Sequence, residues 1–243
     1  MAMTQDIYEI SGTKNYPIGM RIARDERVFR YARIAEVASL IGRAVANKNT
    51  DEENALAAAT SAIGSTTVLI TVQAAAGLVA NELKGGYLTY PWFYCHRIRS
   101  HPAALSGATC LLQLETAIHG TEITGATRVF AFHNPWYGVG YEVATSHCAS
   151  YVGWPFDSIA IGQYTWVQTW GPVNPVTGAF FGAPGERQAW FAADGGITTF
   201  ANPATDMDQS YQHAGFWIPN TWYGGASHAM QDGGHLLFLQ ICP

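Results

Sequence analysis

The sequence predicts a mainly β protein: a sandwich or barrel of short antiparallel strands, with an extended N-terminal arm and one short helix admitted near residues 34–46. Three observations carry this expectation. Apolar residues fall in short runs, several with a period of two, between Gly, Pro and Asn punctuation. β-branched and aromatic residues fill those runs, as a pleated surface favours. No low-complexity tract or long linker interrupts them, so residues 27–243 are expected to form a single β-rich domain, loop-rich over 173–234 in the manner of a subdomain.

Residues 1–26 precede it as an arm. They are polar, contain Gly12, Pro17 and Gly19, and keep no lasting periodicity. The first strand signal is RVFRYAR (27–33). Next, IAEVASLIGRAVANK (34–48) is rich in helix formers, and Ile34, Val37, Leu40 and Ile41 suit helical spacing. The strand signals then follow as TTVLITV (66–72), GGYLTYPWFY (85–94), TCLLQLETAI (109–118) and RVFAFH (128–133). SIAIGQYTWVQTW (158–170), QAWFAA (188–193) and HLLFLQIC (235–242) complete the set. In QYTWVQTWGP (163–172), alternation puts Tyr164, Trp166, Gln168 and Trp170 on one face and Thr165, Val167 and Thr169 on the other. That aromatic face is either a core wall or a platform on which sugar rings stack.

Only 13% of the 243 residues are charged, against about 25% in ordinary soluble domains, while 13% are aromatic. Lys14, Lys48 and Lys84 are the only lysines. A surface so poor in charge suits a subunit covered by other protein. The net charge of −5 argues against a nucleic-acid partner. TTVLITVQAAAGLVA (66–80) is too short to span a bilayer, so no membrane partner is expected. MAMTQDIYEI carries no apolar core of an export signal, which suggests synthesis in a cytoplasm and reduced thiols at Cys95, Cys110, Cys148 and Cys242.

Catalytic and metal patterns are weak. Cys95-His96 and His147-Cys148 would point to opposite faces of a strand, and no HxH or HExxH occurs. ATDMDQS (204–210) places Asp206 and Asp208 two apart but lacks the rest of a calcium loop. GASHA (225–229) half-matches a nucleophile elbow. Glu115, Glu122, Glu142 and Asp157 offer no singled-out pair. No enzyme activity, cofactor or metal is expected.

The arm is more informative. Arg21, Arg24, Arg27, Arg30 and Arg33 recur every third residue, with Phe29 and Tyr31 among them. They suit bidentate pairing with carboxylates across an interface; alternatively they pair internally with Asp25 and Glu26.

Several blocks resemble a group of tailed-phage virion structural proteins. DERVFRYARIA (25–35) is similar to that group's opening. STTVLITV, GLVANELKGGYLTY and YCHRIRSHPAA follow within 65–104, then HNPWYGVGYEVATSHCASYVGWPFDSIAIGQYTWVQTWGP (133–172), and HLLFLQI (235–241) resembles the closing strand. Val173 stands where the group commonly has Cys, and GFWIPNTWYGGASHAM (215–230) has no counterpart there. The resemblance implies a capsid decoration or cement protein on the outer surface of a phage head, made in the host cytoplasm. Its partners would be the major capsid protein and itself, as a homotrimer. It also implies that TWVQTW is a buried strand, with Trp166 and Trp170 both in the core. On this reading Arg21, Arg24, Arg27, Phe29, Arg30 and Tyr31 contact capsid or neighbouring protomers. The alternative is a virion-associated carbohydrate-binding adhesin using the loop aromatics Trp136, Tyr137, Trp217, Trp222 and Tyr223.

Overall fold

The computed structural model describes residues 5–34, 38–47, 53–91, 94–125, 127–141, 150–175, 188–192, 194–198, 212–218 and 236–243. Among these residues all regular structure is β. The strands are β1 (Arg21–Arg24), β2 (Arg27–Ile34), β3 (Val45–Asn47), β4 (Glu53–Leu56), β5 (Thr67–Thr71), β6 (Tyr87–Tyr90), β7 (Tyr94–Ser100) and β8 (Thr109–Leu114). They continue as β9 (Arg128–Phe132), β10 (Tyr137–Gly140), β11 (Ser150–Gly153), β12 (Tyr164–Val173), β13 (Gln188–Phe191), β14 (Ile197–Thr198), β15 (His213–Ile218) and β16 (Leu236–Gln240). The expected mainly β class is what the chain adopts. No described helix is long and apolar enough to cross a membrane.

The helix expected near 34–46 does not form among the described residues. Ile34 closes β2, Val45 opens β3, and Gly42 with φ 74° turns the chain between them. Leu40 and Ile41, which helical spacing would bury, are 42% and 61% exposed. Strand pairing buries Ile34, Val45 and Ala46 instead.

The chain divides into two compact units. The first joins residues 1–48 to 136–243, and the second is 49–135. The two sheets divide the same way. In the first unit the order is β11-β3-β10-β2-β12-β16-β15-β13-β14, with β1 also on β2, a half-barrel. In the second the order is β4-β9-β6-β7-β8-β5, and an Ala57–Ile70 bridge brings β5 back toward β4, so the barrel nearly closes.

Alternation builds the second unit. Strand β8 reads exposed-buried throughout, sending Cys110, Leu112 and Leu114 inward to meet Val68, Ile70, Leu88, Ile98 and Val129. Each large aliphatic side chain so buried contributes about 1.5–3 kcal/mol.

The first unit centres on β2 and β12, antiparallel with Tyr31 opposite Trp166 and Arg30 opposite Val167. Both faces of this pair are covered, which is why their burial runs nearly unbroken. One face packs Phe29, Tyr31 and Trp166 against Ile7 and Ile18; the other packs Ala32, Ile34 and Val167 against Val45, Val139 and Ile159.

Alternation fails at one point. Gln168 pairs with Phe29 and Trp170 with Val28, so Thr169 is an extra residue, a bulge. The phase slips by one and Trp170 leaves the face that Trp166 occupies. Trp166 is fully buried, whereas Trp170 is only partly so, packing edge-on against Phe238. The expectation of two core tryptophans is therefore corrected to one. Gly171 completes the bend at φ 95°, and a Cβ there would lie 2.5 Å from the Glu26 carbonyl oxygen.

Trp166→Ala should cost about 3–5 kcal/mol, and Trp170→Ala distinctly less, in chemical denaturation. Equal losses would contradict the bulge. Gly171→Ala should destabilise by at least about 1–3 kcal/mol, the usual cost of a non-glycine residue at a strained positive φ; an unchanged midpoint would contradict the close approach to Glu26.

Candidate interaction surface

The arm finds its partner within the chain. Residues 5–20 fold over the Trp166 face, where Ile7 and Gln5 are buried. The Tyr31 hydroxyl donates to Gln5 Oε1 at 2.8 Å, and Asn15 Nδ2 donates to the same oxygen at 3.0 Å. Gln5 Nε2 donates to the carbonyls of Glu9 and Tyr164. Tyr16 sets its ring 5.2 Å from Trp166, and Ser11 exchanges two backbone hydrogen bonds with Tyr164. The buried contacts and satisfied amides offset the entropy of ordering this segment. Residues 21–24 then form β1.

The five arginines are split by strand alternation. Arg24 meets Asp6 at 3.4 Å, an exposed pair worth about 0–1 kcal/mol. Arg27 donates to the Tyr8 hydroxyl at 3.0 Å. Arg30 donates to the Gly19 carbonyl and lies 4.9 Å from the Trp136 ring centroid. Arg33 donates to the Tyr137 hydroxyl at 2.8 Å and lies 5.1 Å from that ring. Arg21 is exposed, with no ion pair among the described residues. Asp25 and Glu26 form the turn between β1 and β2 and pair with none of the five. Phe29 and Tyr31, expected at a contact, are both 0% exposed; their phase on β2 turns them into the core.

The loop aromatics are likewise engaged. Trp136 donates its indole N–H to the Val152 carbonyl and packs against both faces' clusters. Trp217, opposite Leu237 on β15, packs on the core of Val173, Leu237 and Leu239. None of Trp136, Tyr137 and Trp217 forms an open platform, because each is stacked or packed in the first unit. Trp222 and Tyr223 lie outside the described residues. A different aromatic row exists on the opposite side of β12, β16 and β15. Trp170 and Phe238 have ring centroids 5.7 Å apart, Phe238 and Phe216 are stacked at 5.2 Å, and Phe216 and Leu236 are 40% and 41% exposed. Alternation in HLLFLQ was the available signal for its β16 member.

In the second unit Cys95 is exposed and His96 is 1% exposed, on opposite faces of β7 as expected. His96 meets the Thr116 hydroxyl at 2.9 Å through Nδ1 and stacks on Tyr90, with His119 4.9 Å away. His101 is fixed at both nitrogens: Nδ1–H donates to the Pro102 carbonyl at 2.8 Å, and Nε2 accepts the Leu83 N–H at 2.9 Å. Both histidines act as satisfied core groups, and burial is the first cause holding each below the usual histidine pKa. Among the described residues no three His, Cys, Asp or Glu side chains converge as metal ligands. Glu115 faces Arg97 at 3.8 Å. Asp206, Asp208, Glu142, His147, Cys148 and the GASHA stretch lie outside the described residues. Among the described residues no two cysteines form a disulfide.

No family model, curated protein or solved structure matches the chain.

The two buried histidines set a pH dependence. The unfolded chain takes up protons near pH 6.5, whereas the folded chain resists until a lower pH. Their contribution is therefore complete above pH 6.5 and falls as the solution is acidified, by up to about 1.4 kcal/mol per pH unit for each histidine. Denaturation midpoints should drop between pH 7 and 5, with a shallower slope in His101→Gln. A flat profile would show that neither histidine is held neutral.

Proposed function

We propose that this protein is a virion structural subunit: a decoration or cement protein bound to the outer surface of a phage head, contacting the major capsid protein and neighbouring copies as a homotrimer. The observation that carries the reading is a charge-poor surface bearing bare aliphatic loop tips. Ile41 and Ile161 are 61% and 59% exposed in the first unit, and Val79 and Leu105 are 71% and 79% exposed in the second. Such residues suit contacts that other protein completes. The resembling blocks also coincide with the frame of the fold. RVFRYARI is β2, YTWVQTWGPV is β12 beside it, and LLFLQ is β16 on the far half of β12. No catalytic step, cofactor or nucleic acid enters this reading.

Cementing works by mass action. A subunit that binds only the assembled shell stabilises it by RT ln(1 + [L]/Kd), about 2.7 kcal/mol per site at a hundredfold excess over Kd. The row of partly buried Trp170 and Phe238 with exposed Phe216 favours a second reading, a carbohydrate-binding adhesin, in which those rings stack on sugars.

Bare heads incubated with the protein should gain regular surface density in electron micrographs and disassemble at higher temperature. Ile41→Ser with Ile161→Ser, and separately Val79→Ser with Leu105→Ser, should weaken decoration while leaving the melting temperature of the free protein unchanged. Undecorated heads together with glycan binding lost in Trp170→Ala would favour the adhesin.

A further inference from the structure

We infer that the outer edge of β1 is a docking site for an acidic, extended segment of a partner protein, which adds as a further strand and sets its carboxylates against Arg21 and Arg30. This deepens the decoration reading and rests on it for the partner's identity.

The backbone supplies the first part. Strands β1 and β2 form a hairpin whose two-residue turn, Asp25-Glu26, has Asp25 at φ 55°. Arg24 and Arg27 close the turn as partners, and Tyr31 N–H donates to the Met20 carbonyl further along. Antiparallel alternation therefore directs Ile22 and Arg24 toward β2 and leaves the N–H and C=O of Arg21 and Ala23 facing outward. Among the described residues β1 pairs with β2 alone, and Arg21 and Ala23 are exposed. A row of outward backbone groups is what an added strand uses.

Charge supplies the second part. Arg21 lies directly opposite Arg30 on one face of the hairpin. Like charges in that position repel. Arg24 and Arg27 form a second such pair on the other face, but Asp6 and the Tyr8 hydroxyl receive them. Among the described residues neither Arg21 nor Arg30 pairs with a carboxylate, and Arg30 Nε is buried with no hydrogen-bond partner. One cation would suffice to keep an edge from aggregating. Two opposed and unneutralised guanidiniums fit a carboxylate brought in by the added strand.

Binding is measured for the full chain against bare heads and against a synthetic peptide of alternating Glu and Thr, with a Lys–Thr peptide as control. Two variants probe the edge. Arg21→Glu reverses the exposed charge, and Ala23→Pro removes an outward N–H that no described strand of this chain uses. Circular dichroism and the melting temperature of each variant establish that it folds. We expect the Glu–Thr peptide to bind, the Lys–Thr peptide not to bind, and each variant to lose about tenfold or more in affinity for peptide and heads, most at low salt. Peptide binding that both variants lose, with no binding to heads, would uphold the edge and remove the decoration reading. Decoration of heads undiminished in both folded variants would overturn the edge and leave that reading standing. Self-association of the chain abolished by Ala23→Pro, without peptide binding, would overturn the acidic partner in favour of a second copy.

Discussion

The ladder between β2 and β12 is the interaction on which the first unit depends. It places Tyr31 opposite Trp166, and the aromatic pair forms the floor on which residues 5–20 lie. The reverse side of the same ladder carries the Ala32, Ile34 and Val167 cluster. Its far half passes β12 on to β16 and hence to β15 and β13. Because both faces are covered, polar groups on these strands are drawn into internal hydrogen bonds: Gln168 Nε2 donates to the Trp170 and Pro172 carbonyls, and the Tyr31 hydroxyl donates to Gln5. The satisfaction is incomplete, since Arg30 Nε, Trp166 Nε1 and Gln168 Oε1 are buried without a partner.

Much of this was legible in the residues. RVFRYAR and YTWVQTW read as strands because their composition and spacing leave few other ways to bury them, and TTVLITV and TCLLQL alternate cleanly as β5 and β8. What was not legible depended on contacts far apart in sequence. Nothing local in QTWGP announces that Thr169 is supernumerary; the bulge exists only relative to Phe29 and Val28 on another strand. Leu40 and Ile41 had helical spacing, yet their neighbours Ile34 and Val45 gained more from pairing, and a glycine between them favoured a turn. The division into two units rests in the same way on which distant strands pair, since β2 and β12 meet across the whole of residues 49–135.

The arginine series shows how a regular sequence period can mislead. A three-residue step suggests a common purpose, but a strand sorts residues by two. Within each strand a step of three sends successive arginines to opposite faces, while Arg24 and Arg27 share a face across the turn. Three of the five meet aromatic rings or hydroxyls, one meets Asp6, and Arg21 is left on the outer strand. Phe29 and Tyr31 have the aromatic character that suits an interface, but their phase on β2 turns both into the core. Gln5 and Asn15 gave no signal at all, because a lone amide in a polar segment looks like any solvated residue until a buried phenol lies opposite.

The first unit is assembled from both ends of the chain, with residues 49–135 between, and this has a consequence for how the protein is made on the ribosome. The second unit is contiguous, so its six strands can all pair once β9 has emerged. Strand β2 by then has β1 but not β12, and its apolar faces must wait until the whole intervening unit has been synthesised. During that interval the nascent chain holds one finished barrel and one hairpin without its long partner. An early-folding insert shortens the effective loop that β2 and β12 must close, because a compact body replaces a flexible coil between β3 and β10. The order of synthesis thus favours building the contiguous unit first and letting it carry the two separated halves of the other toward each other.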